Sequence, residues 1–531
     1  MGIGAGRGQP CLFAGRAAVK VTLRQSMVWI HGWLGLLAGW ILFAMFLTGT
    51  ASYFRPEITQ WMQPEFRSVP VSAARAAQTA TAYMQKVGAD DVQWFVYLPD
   101  SRTSATRIFE QRNPASKVPP VASEIVLDPA TGTPLHARET RGGEHFYRFH
   151  FQLQLPYPWG RWLAGLCAMF MLGAIVSGVI THKRIFADFF TLRWNKGQRS
   201  WLDAHNVSAV LALPYHAMIT YTGLITLVAM YMPWPVVANY AKPLDFGAVA
   251  FGIPADRDAS GRPASLVDIG ALVANAEVRF GAPATRMVVR NPNDSAATVT
   301  VYRHPSASLN ARGPSVTYSG STGRLLGAST GSGPALATAG VMLGLHVAQF
   351  AGTALRWTYF ALGLTGAAMV GTGLLLWTVK RRKPGAVPFF GLALVERLNI
   401  AVVAGLPTAM AAYLLANRLI PVGIEGRADM EVAAMFWTWG ALAVLQLARP
   451  ARRAWVEGFA IGAVAFVAIP VANAVTTARG LPGSLSNGDT LFAAFDFAML
   501  GAAAVLAFGA ARAGRKVEMP VRRRVREMAH G

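Results

Sequence analysis

The chain has 531 residues, of which 53% are hydrophobic and only 14% are charged, and its mean hydropathy is +0.34. This composition excludes an ordinary soluble protein, because several apolar runs reach the ~20 residues that a membrane-spanning helix needs. The net charge of +22 does not predict nucleic-acid binding, because the Lys and Arg residues lie in short clusters between apolar runs. The two cysteines are too few for an iron–sulfur cluster, which needs about four ligands.

Eight apolar runs predict eight membrane helices, and the basic clusters between them place both termini in the cytoplasm. The first four predicted helices follow a cytoplasmic tail at 1–26 and lie at 27–53, 149–183, 203–229 and 343–380. In the second and fourth, the apolar stretch itself begins only at about 159 and 355. The other four lie within 381–511, at about 398–419, 431–448, 455–475 and 491–511. A basic loop at 184–202 and a basic tail at 512–531 complete the predicted cytoplasmic side.

Two longer polar segments, 54–148 and 230–342, are predicted to be α+β domains outside the membrane. In the first, "AARAAQTATAYMQKV" has the apolar spacing of an amphipathic helix, and "DVQWFVYLP" alternates as a strand does. In the second, "SLVDIGALVANAEVRF" predicts a helix and "AATVTVYRH" predicts a strand. The predicted fold class is therefore a mainly α, polytopic membrane protein that carries two external α+β domains.

The first 383 residues contain an internal repeat, with copies at about 27–184 and 200–383. In each copy a histidine is followed seventeen residues later by a Thr-Gly pair, first from His31 to Thr48 and then from His205 to Thr222. We interpret these Thr-Gly pairs as the points where each copy leaves the bilayer. Because both copies run in the same direction, they predict a pseudo-two-fold axis along the membrane normal.

The repeat predicts two layers of paired histidines within the four-helix bundle of the first four spans. His31 and His205 would lie at one depth near the cytoplasmic side, and His150 and His346 at another depth near the external side. A histidine in an apolar helix is costly unless it has a partner. Two imidazoles that face each other at one depth in a helical bundle are an axial ligand pair for a haem iron. The pattern thus predicts two bis-histidine haems, one near each face.

Two further histidines are open candidates for the same role. His216 follows His205 by eleven residues, which places it about 16 Å further along the same side of the helix. It is an alternative ligand, together with either histidine of the external layer. His182 adjoins a basic cluster and aligns with Trp377, so it has no symmetric histidine and is either a ligand or an interfacial residue. The competing interpretation for any such histidine is a hydrogen bond to a neighbouring helix.

The remaining histidines and motifs carry less information. His145 could replace His150 as the external ligand, but the repeat favours His150. Ordinary exposed residues are predicted at His136, His304 and His530. The sequence shows no P-loop, no glycine-rich dinucleotide fingerprint and no apparent Ser–His–Asp arrangement, so no nucleotide or flavin domain is predicted.

Three stretches resemble the PepSY-associated transmembrane-helix family: "MVWIHGWLGLLAGWILFAMFLTGTASYF", "SWLDAHNVSAVLALPYHAMITYTGL" and "GLHVAQFAGTALRWTYFALGLTGAAMVGTGLLLW". The resemblance covers about 21–383. It implies the inner membrane of a Gram-negative bacterium, PepSY-like α+β domains in the periplasm, two haems of the b type, and a link to siderophore-mediated iron uptake. The four C-terminal helices fall outside the resemblance and are expected to serve packing or a homodimer contact.

The expected function is that of an oxidoreductase of the ferric-siderophore reductase type. A cytoplasmic or quinol donor would reduce the haem at His31 and His205, and the haem at His150 and His346 would reduce a ferric siderophore or other ferric chelate held between the two external domains. Fe(II) binds hard oxygen chelators far more weakly than Fe(III), so reduction would release the metal. The alternatives are a haem-free permease or scaffold of iron–siderophore uptake, and a PepSY-type membrane regulator.

Overall fold

The computed structural model describes residues 22–66, 70–112, 124–182, 191–240, 246, 258–329, 333–382 and 387–515. Across these ranges the chain is mainly helical, with one antiparallel sheet. Seven of the described helices are long and apolar enough to cross a membrane, and a bent helix pair makes an eighth if it is counted as one span. The chain is therefore a multi-pass membrane protein. Most of the predicted tails at 1–26 and 512–531 lies outside the described residues, as do His530 and residues 184–190 of the predicted loop at 184–202.

The first span, α1 (Leu23–Ser52), is the centre of the first group of helices. It begins at a capping box in which the Thr22 side chain accepts a hydrogen bond from the backbone N–H of Gln25, while the Gln25 side chain accepts from that of Thr22. Helix α1 packs against α5 (Trp159–Thr181) and α12 (Thr353–Arg381), and α12 packs in turn against α6 (Gln198–Leu211). Helices from residues 23–181 and from residues 198–381 therefore pack against one another.

The third span differs from the single helix predicted at 203–229. Helix α6 ends at Leu211, and α7 (Leu213–Thr226) continues at an angle of 67° to it. Pro214 lies in the first turn of α7 and has no backbone N–H to donate to the preceding turn, which favours a break in the helix at this point. Two short helices follow, α8 (Val228–Tyr231) and α9 (Trp234–Asn239).

His150 and His346 lie on short separate helices rather than on the spans that follow them. His150 is on α4 (Glu144–Gln152), and His346 is on α11 (Pro334–Val347). Each helix ends at a residue in the left-handed region, with φ 54° at Leu153 and φ 51° at Ala348. The chain therefore turns sharply after each histidine before α5 and α12 begin. The predicted ranges 149–183 and 343–380 each divide into two helices at this turn.

The two predicted α+β domains share one seven-stranded antiparallel sheet. The strands are β1 (Gln93–Tyr97), β2 (Thr106–Gln111), β3 (Ile125–Leu127), β4 (Ala284–Arg290), β5 (Thr298–Arg303), β6 (Ser315–Ser319) and β7 (Leu325–Ser329). Their order in the sheet is β3-β2-β1-β4-β5-β6-β7, and the first and second segments meet where β1 pairs with β4. Helices α3 (Ala73–Val87) and α10 (Ile269–Phe280) pack side by side over one face of the sheet and bury Trp94 and Met287.

The C-terminal helices pack directly against the first group of helices. They are α13 (Phe390–Val403), α14 (Gly405–Leu419), α15 (Arg427–Leu447), α16 (Ala451–Thr476), the short α17 (Leu481–Ser486) and α18 (Thr490–Gly514). The helix α2 (Arg55–Met62), which follows α1, inserts among them: Trp61 is fully buried and stacks on Phe495 with 4.3 Å between ring centroids. One continuous apolar core therefore joins the two groups of helices.

Candidate functional site

Two histidines of α1 and α6 face each other and form what we call the first pair. The ring centroids of His31 and His205 are 6.0 Å apart. The Nδ1 of His31 lies 2.8 Å from the carbonyl oxygen of Ala174, and the Nδ1 of His205 lies 2.9 Å from that of Met369. A carbonyl oxygen only accepts, so each Nδ1 donates its proton and each Nε2 keeps a lone pair that can bind a metal.

The histidines of α4 and α11 form the second pair, with the same centroid spacing but a smaller angle between the rings, 33° compared with 68° in the first pair. The ring centroids of His150 and His346 are also 6.0 Å apart. Nδ1 of His150 donates to the carbonyl oxygen of Met45 over 2.7 Å, and Nδ1 of His346 donates to that of Ile219 over 3.0 Å. All four imidazoles are thus held by a backbone carbonyl of a neighbouring helix and have the tautomer that a metal ligand requires.

The spacing within both pairs fits a haem iron. A metal–imidazole bond of about 2.0–2.1 Å, with a ring centre about 1.1 Å behind each ligand nitrogen, places two opposed centroids about 6.3 Å apart. The observed 6.0 Å agrees with this value. Within the described ranges no group of three or more His, Cys, Asp or Glu side chains could hold a bare metal ion. A pair of imidazoles alone suits an iron whose remaining four ligands come from a porphyrin.

Four glycines provide the space in which these imidazoles lie. A Cβ added at any of them would approach one ring closely: Gly178 and His31 at 3.2 Å, Gly373 and His205 at 3.1 Å, Gly49 and His150 at 2.6 Å, Gly223 and His346 at 2.9 Å. Gly49 and Gly223 belong to the two Thr-Gly pairs of the repeat. Gly178 and Gly373 follow a hydroxyl residue in the same way, Ser177 on α5 and Thr372 on α12. The interpretation of the Thr-Gly pairs as exits from the bilayer was therefore incomplete, because each glycine makes room for a histidine of its own copy.

The hydroxyl residue before the glycine also contacts the imidazole in two of the four cases. Ser177 Oγ lies 3.4 Å from Nδ1 of His31, and Thr222 Oγ1 lies 3.2 Å from Nδ1 of His346. Each hydroxyl donates its own proton to a carbonyl one turn earlier in its helix, over 2.7 Å. Its lone pairs therefore face the imidazole and reinforce the tautomer with the proton on Nδ1.

The other candidate histidines do not join either pair. His216 is fully buried, with its Nε2 3.4 Å from the hydroxyl of Thr365 and its ring 5.9 Å from that of Phe46. His182 caps the end of α5 and is half-buried, and the residues directly after it lie outside the described ranges. His145 is buried on α4 but faces the C-terminal helices, where its Nε2 lies 3.2 Å from the sulfur of Met435.

The two arginines that follow the short histidine helices make contacts within the protein. Arg161 donates to the side chain of Gln152, and its guanidinium lies over the rings of Phe151 and Tyr157. Arg356 is buried, and it donates to the carbonyl of Ala351. Arg356 also pairs with Glu57, which binds Arg102 as well. These ion pairs join the span α12 to α2 and to a loop of the sheet.

A cluster of polar side chains around His304 was not predicted from the sequence. His304, predicted to be an ordinary exposed residue, is half-buried: its Nε2 lies 2.9 Å from Asp100 and its Nδ1 lies 2.6 Å from the hydroxyl of Ser306. The backbone N–H of Ser306 donates to the same Nδ1, which is the geometry of a cap on a short turn. We interpret the cluster as a link between two loops that precede β2 and β6. Only contacts between loops distant in sequence could have revealed it.

The contribution of Asp100 to the stability of the fold should depend on pH. Burial alone would raise the pKa of Asp100, but hydrogen bonds from His304, the N–H of Arg102 and Thr103 outweigh it and lower the pKa. A lowered carboxyl pKa stabilises the fold above the unfolded pKa and ceases to do so as the pH falls through the folded pKa. Asp100→Asn should therefore destabilise the fold by about 1–3 kcal/mol at pH 7, and by progressively less as the pH falls through the lowered pKa of Asp100. Thermal unfolding in detergent between pH 3 and 8 measures this, with exposed Asp90→Asn as the control. An effect of equal size at both ends of the range would contradict it.

Comparison with known proteins supports the resemblance. The family model described as "PepSY-associated TM region" matches residues 28–380, which include both histidine pairs, His182 and His216. A protein of Pseudomonas aeruginosa named "Uncharacterized protein PA4219" is 28% identical over 318 residues, which cover 56% of this chain and 78% of that protein. Its name assigns no activity. The helices after α12 lie beyond the residues that the family model matches.

Proposed function

This chain belongs to the PepSY-associated transmembrane family, and from this premise we propose that it is a di-haem electron-transfer protein of the bacterial inner membrane. The observation that carries the proposal is an arrangement found twice: two imidazoles with ring centroids 6.0 Å apart, each held through Nδ1 by a backbone carbonyl. A bound haem b would supply a one-electron Fe(III)/Fe(II) couple, and the protein would hold and tune it. The two units are proposed to be copies that form one haem bundle.

The depth of the two pairs supports transfer across the membrane. His31 lies near the start of α1, and Met45, which accepts the proton of His150, lies fourteen residues further along it. At 1.5 Å per residue this separation is about 21 Å. It covers most of the ~30 Å thickness of a bilayer core. Two redox centres at these positions would divide the crossing into shorter steps.

The position of the sheet supports a direction for the proposed transfer. The second pair lies on the short helices that adjoin the sheet, and basic residues such as Lys380 and Arg381 end α12 at the opposite side. We place the sheet in the periplasm and both termini in the cytoplasm, because basic loops stay in the cytoplasm. The second pair would then serve an acceptor in the periplasm, and the first pair a cytoplasmic or quinol donor.

The proposed acceptor is a ferric siderophore or another ferric chelate. Each Fe(III) takes one electron, and the Fe(II) produced binds hard oxygen ligands less tightly, so reduction would release it. The expectation that the acceptor lies between two separate external domains does not fit a sheet that is continuous from β3 to β7. We propose instead that it approaches at the junction of the sheet and the helices, close to the second pair.

The test is spectroscopic and kinetic. The protein purified from haem-replete cells should carry two haems per chain, with the absorption spectrum of bis-imidazole haem. After anaerobic reduction, addition of ferric chelates should reoxidise both haems and produce Fe(II), measured with a ferrous indicator dye. A colourless protein would refute the proposal and favour a haem-free permease, scaffold or regulator. Haems that ferric chelates cannot reoxidise would refute the ferric acceptor.

A glycine substitution tests the second pair without touching a ligand. The Cβ of Gly49→Ala would lie 2.6 Å from Nδ1 of His150, so the imidazole would have to leave the carbonyl of Met45. We expect loss of about half of the haem, since second-shell changes typically lower metal affinity about 10- to 100-fold. Gly501→Ala on α18 is the control, because nothing lies within 4 Å of its added Cβ and α18 carries none of the four paired histidines. Equal haem content in both variants would contradict the assigned position of His150.

A further inference from the structure

The helix α4 has two functional faces. His150 points towards α1, where its Nδ1 donates to the carbonyl of Met45. His145 and Phe149, which are four residues apart, form a second buried face of the same helix. The helix is only nine residues long, and a helix this short is not stable by itself in the absence of tertiary contacts. The orientation of His150 therefore depends on what covers this second face of α4.

The C-terminal helices α14 and α15 cover that face with aromatic side chains. The ring of His145 lies 4.8 Å from that of Tyr413, and its Nε2 contacts the sulfur of Met435. The ring of Phe149 lies 5.6 Å from Phe436, almost perpendicular to it. Edge-to-face packing of this kind fixes the rotation of a helix about its axis as well as its position.

The segment that leads into α4 is held by the same helices through hydrogen bonds that involve both its backbone carbonyls and the side chain of Arg138. The hydroxyl of Tyr413 donates to the carbonyl of Gly142 over 2.9 Å. The guanidinium of Arg427 donates to the carbonyl of Glu139 over 2.7 Å, and Arg138 donates to the carbonyl of Asn417 over 2.8 Å. The C-terminal helices thus hold both the entry to α4 and the helix itself.

The counterpart helix of the second copy has different support. Helix α11, which carries His346, packs chiefly against α7, and the N–H of Ala311 in a loop of the sheet domain donates to its Gly340 over 3.1 Å. Its buried residues are two glycines, Gly340 and Gly344, whereas those of α4 are aromatic. The two ligands of the second pair are therefore held by unequal surroundings.

We propose that the C-terminal helices position His150 and thereby control the affinity and potential of the second haem. This inference rests on the proposed function and extends it to residues beyond the family match, which ends at 380. Tyr413, Met435 and Phe436 are the positioning residues, and they act through His145 and Phe149. The first pair lies at the other end of α1 and should not respond to them.

The experiment uses the full chain and replaces Phe436, which contacts Phe149 of α4, with alanine. The matched control is Phe459→Ala, which also removes one aromatic ring but lies on α16. Phe149→Leu is a second, milder variant from the other side of the contact. Haem content, the low-temperature electron paramagnetic resonance of each haem and its midpoint potential are measured in detergent. We expect Phe436→Ala to weaken binding of one haem by about 10-fold and to shift its potential and resonance, with the other haem unchanged. The affected haem is identified as the one lost in His346→Ala.

The outcomes separate this inference from the proposed function. If wild-type protein carries two haems and neither Phe436→Ala nor Phe149→Leu changes the second one relative to Phe459→Ala, the inference is wrong and the function stands. If both haems respond equally to Phe436→Ala, the C-terminal helices stabilise the bundle in general, and the inference is again wrong. A wild-type protein without haem would overturn both.

Discussion

Replacing His205 with alanine should remove one of two haems and stop reduction of ferric chelates by the protein. His205 supplies one side of the first pair, and its partner His31 cannot hold the iron alone in the same geometry. The carbonyl of Met369 would lose its donor, but no buried charge would be created, so the fold should persist. We expect half of the wild-type haem content and an unchanged spectrum for the haem that remains.

Two other histidines are the controls for this result. His216→Ala should keep both haems, because His216 contacts Thr365 and Phe46 rather than another imidazole. His136→Ala, at an exposed site, should behave as wild type. Full haem content in His205→Ala, or loss of a haem in His216→Ala, would show that the ligands are paired differently. The absorption of the reduced pyridine haem complex per chain gives the count in each variant.

The equal spacing of histidine and Thr-Gly in two stretches was sufficient to predict that His31 and His205 lie together. It could not show which helix each glycine faces. Gly49 follows His31 on α1, yet it makes room for His150 on α4. Such a contact joins residues 101 positions apart and depends on how the helices cross. The sequence pattern fixes positions along a helix, whereas the crossing is decided by packing with the neighbouring helices.

The pairing of strands in the shared sheet could not be predicted from the sequence pattern either. The alternation around Trp94 and Val96 predicted a strand with one buried face, and both residues are buried under α3 and α10. Nothing in that alternation indicates which strand lies beside it. The pairing of Phe95 with Val288 brings together two segments that are separated by two membrane spans. This pairing depends on the three-dimensional arrangement of the chain, so the alternation alone does not predict it.

The C-terminal helices were predicted as spans, but their relation to the site was not. Arg427 and Glu431 lie close to the start of an apolar run, where a charged residue is usually interfacial. In the structure both side chains are fully buried and form an ion pair. Their remaining partners, such as the carbonyl of Glu139 and the hydroxyl of Thr140, come from the segment before α4. The sequence contains no signal that joins positions so far apart.

Loss of the buried ion pair between Arg427 and Glu431 should strongly lower the free energy of unfolding. Arg427→Met should destabilise the protein by about 3–5 kcal/mol, because it leaves Glu431 as a buried charge without its partner. Thermal unfolding in detergent, compared with wild type, measures the loss. The double variant Arg427→Met with Glu431→Leu should recover much of it, since an apolar pair of similar volume avoids the desolvation of both charges.

Arg148→Ala provides the matched control, because it removes an ion pair between exposed side chains at the same helical spacing, with Glu144. Exposed pairs contribute about 0–1 kcal/mol, so the control should unfold close to the wild-type temperature. If Arg427→Met were as mild as Arg148→Ala, the buried pair would not hold the C-terminal helices to the segment before α4. If the double variant were as unstable as the single one, the hydrogen bonds of Arg427 to backbone carbonyls would matter more than its charge.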